Sequence, residues 1–272
     1  MQLNELVIGI KGAGEQATGT AWRLYQSNFP KIFMMERQAP LAIRRHVAFS
    51  EAVFEGSKMV ESVEAHMAGN SQSVLRTWQE GKIAVVVDPH WEYVRDLKPH
   101  VLIDATIAKK NLGTAMTDAP LVIGMGPGFT AGKTAHMVIE TNRGHHLGRV
   151  ITKGTAQANT GIPGTIEGFS KERLVRAPCS GRFDAILDIG SRINCGDIVG
   201  FVDKMPVTAQ LTGIVRGLIR SGTPVGKGLK IGDIDPRGEV SFCATISEKS
   251  RAIAGGVIEA ILRVYNGREG DL

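Results

Sequence analysis

Between Ala177 and Ile234 the sequence repeats itself, and the repetition narrows the architectures open to it. Ala177, Gly181, Gly190, Gly196 and Gly200 recur as Ala209, Gly213, Gly222, Gly228 and Gly232, each shifted by 32 positions (177 to 209, for example). The apolar residues Ile186, Ile193, Val199 and Val202 recur as Leu218, Val225, Ile231 and Ile234. Glycines at fixed intervals mark turns, and the apolar residues between them mark short strands. Each copy reads as turn, strand, glycine turn, short strand, glycine turn, strand. One sheet of such strands leaves open edges; two interlocked copies cover them. The expectation is a duplicated all-β domain over residues 165–246.

Arg176-Ala177-Pro178 with Ser180-Gly181, then Gly196-Asp197, resembles the biotinyl/lipoyl barrel-sandwich domain, and both halves carry the pattern. The resemblance implies a barrel-sandwich hybrid. Its modified lysine belongs in Met-Lys-Met between the halves, where this chain has Val202-Asp203-Lys204-Met205-Pro206. No lipoylation or biotinylation of Lys204 is expected, and the domain reads as a clamp or docking module. Asp233, Asp235 and Arg237 lie in one short turn; two carboxylates suit a divalent ion, but an Asp–Arg pair fixing a domain junction is the better reading.

The amino-terminal part has a different rhythm. Leu6–Ile10 suits a buried parallel strand. Gly12-Ala13-Gly14-Glu15-Gln16-Ala17 then resembles a dinucleotide fingerprint in its G/A form, and a helical face follows. The strand Lys31–Met35 ends at Glu36, 24 positions after Gly12 (36 − 12), where an acid reaches a ribose. The alternative is a βαβ unit whose glycines serve only close packing. Leu41–His46 reads as a short helix, 53–67 as a hairpin, 71–80 as a helix, and Ile83–Val87 and Val101–Ile103 as strands. Asp104, Lys109 and Asn111 follow the last of these, at a strand end where open α/β sheets place ligand groups. Asp104 suits a hydroxyl, a metal or, better, a helix cap. Strands alternating with helices to about residue 124 imply a Rossmann-like doubly wound sheet, so residues 1–164 are expected to form a nucleotide-binding domain.

A second glycine-rich stretch follows the strand Leu121–Ile123, with Gly124, Gly126, Gly128, Thr130 and Gly132; an extended run then delivers Asn142, Arg143, His145, His146 and Arg149. Glycines let backbone amides approach a ligand, and arginine and histidine supply positive charge. The stretch suits an anionic small molecule or, equally, a tight inter-domain crossover. It is not an NTPase P-loop. Aligning Gly132-Lys133-Thr134 with the GK[ST] end puts Pro127 at the first glycine, and too few residues remain for the phosphate-binding helix. Thr155–Gly164 reads as a connector in which Asn159 and Thr160 could line a site. Ser247 is a good N-cap for a last helix within 247–272, whose Gly255 and Gly256 point to close packing back on the first domain.

The formal charge is +5 without a basic stripe, which argues against nucleic acid as partner. Cys179, Cys195 and Cys243 have no ligand spacing, so no metal is expected and a reducing, cytoplasmic setting is. The start of the chain has no basic-then-apolar leader, and no apolar run reaches membrane-spanning length.

Lys11–Gly19, Arg44–Glu55, Ala108–Gly113, Gly124–Gly132, Glu140–Val150, Asn159–Gly164, Gly232–Gly238 and Ser247–Ala260, in that order, resemble the accessory proteins of bacterial selenium-dependent molybdenum hydroxylase systems. Gln16 stands where Leu is expected and His146 where Asp is expected. The resemblance implies maturation of a client molybdenum hydroxylase acting on purine-like substrates, and it assigns no catalytic residue. The expectation joins it to a nucleotide or dinucleotide ligand (NAD(P) or molybdopterin-type) or another phosphorylated small molecule, held by Gly12, Gly14, Glu15, Gln16, Glu36, Asp104, Lys109, Asn111, Gly126, Gly128, Thr130, Asn142, Arg143, His145 and Arg149. The alternatives are an NAD(P)-dependent oxidoreductase and a non-catalytic scaffold that docks the client.

Overall fold

The computed structural model describes residues 2–158, 161 and 164–266. Asn159 and Thr160, considered above as site-lining, lie outside them. The chain divides into two compact units, one of Met1–Pro40, Ala48–Asn159 and Ile246–Leu272, the other of Leu41–Val47 and Thr160–Thr245.

The first unit contains β1 (Val7–Lys11), α1 (Glu15–Gln26), β2 (Lys31–Glu36), α2 (Ala52–Glu55), β3 (Ser57–Val60), β4 (Val63–Met67), α3 (Ser71–Gln79), β5 (Ile83–Val87), α4 (Tyr93–Leu97), β6 (Val101–Asp104), β7 (Leu121–Met125), β8 (Thr130–Ala131), β9 (Met137–Ile139), β10 (Val150–Ile151) and β11 (Gly154–Thr155). Nine of these strands form one sheet in the order β10-β9-β7-β6-β1-β2-β5-β4-β3. The inner seven run parallel, and β10 and β3 are antiparallel to their neighbours. The expected Rossmann-like doubly wound sheet is corrected to this mixed one. The reason is local: the β3–β4 hairpin and the β9–β10 turn-back each fold a strand against the outermost parallel strand. The parallel strands are continuous apolar runs because both faces are covered; Phe33, Ala84, Val86, Leu102, Val122 and Val138 pack into one of the buried clusters.

The last helix, α5 (Glu248–Tyr265), packs on α1, β7, β9 and β10. Two glycines allow the close approach. A Cβ on Gly19 of α1 would stand 2.7 Å from the Ser250 Cβ, and one on Gly256 would stand 2.0 Å from the Gly148 carbonyl oxygen. Ser247 caps the helix by accepting from the Ser250 amide. No helix among the described residues is long and apolar enough to cross a membrane.

The second unit holds β12 (Leu174–Arg176), β13 (Gly181–Ala185), β14 (Arg192–Ile193), β15 (Ile198–Val202), β16 (Met205–Thr208), β17 (Gly213–Leu218), β18 (Thr223–Val225) and β19 (Lys230–Asp235). They form two antiparallel sheets, β12-β19-β17-β14 and β16-β15-β13-β18. Exchanging each strand of one 32-residue copy for its counterpart turns the first order into the second, so each sheet takes strands from both copies. The layout expected from the biotinyl/lipoyl resemblance is corrected to this pair of antiparallel sheets around Phe183, Val199, Val202, Ile214, Val215, Ile231 and Ile234. Leu41–His46, read as a helix, forms only a 3-10 turn at Arg45–Val47 and belongs to this unit.

Asp233 and Asp235 are engaged by arginines within the same unit. Arg173 Nη2 donates to both oxygens of Asp233 at 3.2 Å, and Arg237 Nε and Nη2 donate to Asp235 at 2.9 and 2.7 Å. Burial acts to raise the Asp235 carboxyl, but the Arg237 hydrogen bonds and the charge of Arg216 outweigh it and hold the group below its usual range.

Candidate functional site

The carboxyl edge of the large sheet is where β1 and β6 lie side by side. From β1 the chain moves through α1 to β2 on one side; β6 and then β7 lie on the other. Connections that diverge in this way leave a crevice beyond the strand ends of an open sheet. Lys11 and Asp104 end the two strands and face each other in register.

Both are buried, at 2% and 1% exposure, which is rare for charged side chains without partners. Lys11 Nζ donates to Thr114 Oγ1 at 2.8 Å and pairs with Asp118 at 3.4 Å, and it lies 5.4 Å from the Trp91 ring centroid. Asp104 accepts from the Thr114 hydroxyl at 2.6 Å, the Thr106 hydroxyl at 2.7 Å and the Thr106 amide at 3.2 Å. Asn111 closes the loop: its Oδ1 accepts from the amides of Gly113 and Thr114, and its Nδ2 donates to the Thr114 carbonyl. The cluster fixes the loop 105–118 against the strand ends. Trp91 and Ile107, which flank it, have φ of 62° and 53°. Bulky residues avoid that region, so the surroundings hold both in place at about 1–3 kcal/mol each.

The turn into α1 forms the other wall. Gly12 has φ 91°, and a Cβ there would lie 3.4 Å from the Ala105 carbonyl oxygen. Glu36 accepts from the Ala13 amide at 3.0 Å and the Arg37 amide at 2.8 Å, so its carboxylate clamps the turn. Gly14 is the N-cap of α1 and has no side chain to bond the first helical amides; a Cβ on it would meet nothing within 4 Å. The amino end of α1 therefore carries no side-chain cap, and the space beside Gly14 is open. Glu15 and Gln16 turn toward α5, accepting from Ser247 Oγ at 3.1 Å and Ser250 Oγ at 3.2 Å.

The glycine-rich stretch after β7 borders the same loops. Gly128, φ 103°, lies against the Lys110–Asn111 backbone, and Gly126, φ 83°, against Thr141 Oγ1. Glu140 is buried and accepts from the amides of Asn142 and Gln157; Asn142 Nδ2 donates to Gln157. Arg143 pairs with Glu248. Lys109 is exposed on the loop 105–118. Thr130 lies in β8, where its amide donates to Thr134 Oγ1 at 2.9 Å.

The structure thus links Gly12, Gly14, Glu36, Asp104, Asn111 and Gly128 around one edge. It puts Glu15, Gln16 and Arg143 on the adjoining start of α5. His145 and Arg149 belong elsewhere: with His146, Leu147 and Gly148 they line a shallow depression of about 430 Å³. The His145 and His146 rings meet edge-on at 5.0 Å there. Lys11, Thr114 and Asp118 were not singled out from the sequence. A charged residue closing an apolar strand just before a glycine turn was the available signal for Lys11.

Among the described residues no three His, Cys, Asp or Glu side chains are grouped as a metal site requires. No family model matches the chain. It is 47% identical over 263 residues to "Uncharacterized protein YqeB" of Escherichia coli K12, covering 97% of this chain and 48% of that protein, so the chain spans about half the length of the curated relative it matches. Solved structures with some likeness include an aspartoacylase family protein of Mesorhizobium loti (13% identity, 84% of each chain, TM-score 0.28). The product-bound ectoine utilization protein EutE of Ruegeria pomeroyi is another (11% identity, 84% of this chain and 56% of that one, TM-score 0.24). At such scores the likeness transfers neither activity nor residues. Several of the solved structures with a likeness bear succinylglutamate desuccinylase or aspartoacylase names, and none of those is an accessory protein of a selenium-dependent molybdenum hydroxylase system. The family resemblance and the maturation role drawn from it, together with the alternatives attached to that role, are corrected accordingly.

Proposed function

We propose that the first unit binds a phosphorylated small molecule of nucleotide or dinucleotide type at the carboxyl edge of its sheet. The observation that carries this reading is the uncapped amino end of α1, which opens onto free space at Gly14 beside the divergence of β1 and β6. Backbone N–H groups and the helix dipole favour an anion there. The amides of Gln16 and Ala17 would take phosphate oxygens, with no side chain at Gly14 to keep the ligand away. Glu36 shapes the turn and stands at the end of β2, within the reach of a ribose. Asp104 and Asn111 hold the opposite wall; Lys11, fully buried, is a positioning residue that anchors it. We assign binding and no reaction.

Calorimetric titration with ATP, CTP, NAD and NADP tests the proposal. At least one is expected to bind saturably. Gly14→Val should raise its Kd at least about tenfold, equivalent to roughly 1.4 kcal/mol. Because a side chain at Gly14 meets open space, the same change should cost no more than about 1 kcal/mol of stability. No binding by any of the four, or binding indifferent to Gly14→Val, overturns the reading.

A further inference from the structure

The 32-residue repeat brings equivalent positions of its two copies to one place. Leu187 and Ile219 are counterparts, as are Asp188 and Arg220 (187 + 32 = 219, 188 + 32 = 220). All four line a single cavity of about 490 Å³ whose walls belong wholly to the second unit. Arg45 lines it as well, carried there by the segment 41–47, which runs against the end of β17. The Leu218 amide donates to the Ile43 carbonyl at 2.8 Å, and the Leu218 carbonyl accepts from Arg45 Nε at 2.8 Å. A Cβ on Gly217 would stand 2.8 Å from Ile43 Cγ2, so this approach needs the glycine. The Arg45 side chain is only 16% exposed, and its Nη2 donates to the exposed Asp188 carboxylate at 2.7 Å. Its Nη1 donates to nothing among the described residues. Ser221 Oγ, also in the wall, accepts from the Ala185 amide at 3.0 Å and keeps its own hydrogen to donate. Apolar surface completes the cavity through Ile186, 57% exposed, and the buried Ile219.

We propose that this cavity binds a monocarboxylate with a compact apolar body, aromatic or branched aliphatic. A guanidinium largely removed from water gains most from an oxyanion that its planar N–H groups can meet. Two arginines and one aspartate leave the lining with one net positive charge (2 − 1). A monoanion balances that charge, whereas the Asp188 carboxylate repels a more highly charged anion such as inorganic phosphate. The ligand carboxylate takes Arg45 Nη1, with the Ser221 hydroxyl as a second donor, and the apolar body covers Ile186 and Ile219. The site goes beyond the nucleotide reading, lies in the other unit and does not rest on it.

The test follows backbone amide shifts of the 272-residue chain while benzoate, isovalerate, acetate or inorganic phosphate is added. Benzoate and isovalerate are expected to shift the amides of Ile186, Asp188 and Ser221 saturably. They should bind about tenfold tighter than acetate, whose methyl group covers little apolar surface. Asp188→Asn keeps an oxygen to accept from the Ile189 amide and removes the repelling charge. It should tighten benzoate binding several-fold, a gain that a merely structural residue would not give. Ile186→Glu puts a carboxylate on an exposed part of the wall; it should weaken benzoate about tenfold and leave the unfolding midpoint nearly unchanged. No saturable shift with benzoate or isovalerate overturns the proposal. So does phosphate binding as tight as theirs, or a benzoate affinity indifferent to both substitutions. If ATP and NAD fail to bind while benzoate still shifts these amides, only the nucleotide reading falls.

Discussion

Asp104 accepts three hydrogen bonds from two threonines while almost fully buried, and the strand-end Lys11 reaches it through the Thr114 hydroxyl. Removing that carboxylate leaves buried hydroxyls without their acceptor. Asp104→Ala should therefore cost about 3 kcal/mol, read as a lower midpoint in urea. Thr114→Val, which severs the link between Lys11 and Asp104, should cost about 1–3 kcal/mol in the same assay. Asp104 was visible in the sequence because a carboxylate closing an apolar strand has few ordinary uses. Thr114 and Asp118 were not, because a threonine and an aspartate in a polar loop look like surface until the fold brings them to a buried lysine. Glu36 shows the converse. Its spacing from Gly12 drew it out, and the structure spends both its oxygens on backbone amides of the turn and its neighbour.

Helix α5 separates two glycines that look alike in the sequence. Gly256 is pressed against the Gly148 carbonyl, whereas a Cβ on Gly255 meets open space. Gly256→Ala should destabilise by about 1–3 kcal/mol through overpacking, and Gly255→Ala should stabilise by about 0.5–1 kcal/mol through helix propensity. Opposite shifts in thermal midpoint would bear this out; equal shifts would not. Sequence pattern located most strands, since continuous apolar runs and glycine turns are local signals. It did not yield the direction of the edge strands, which depends on how β3 and β10 fold back, nor the interleaving of 41–47 with residues far along the chain. The 32-residue repeat was plain in the glycines, but which strand joins which sheet follows from pairing that spacing alone does not encode.

At the scale of the whole molecule, charge is handled differently in the two units. In the second, Asp233 and Asp235 meet Arg173, Arg216, Arg237 and Lys230 in one network. The folded Asp235 carboxyl is held below its unfolded value, so its contribution is complete above the unfolded pKa, about 3.9. It is lost as pH falls through the folded value. Asp235→Asn should thus lower stability at neutral pH and flatten the acid limb of the stability curve, measured by urea unfolding between about pH 2 and 7. In the first unit the balance differs: the amino end of α1 has no side-chain cap and the space beside Gly14 is open. The central claim is that an anion rests on the amino end of α1. Amide chemical shifts, followed while ATP or NAD is added, test it most directly. Saturable shifts at Glu15, Gln16 and Ala17, absent in Gly14→Val, are the predicted result; shifts confined to 145–149, or none with either nucleotide, would contradict it.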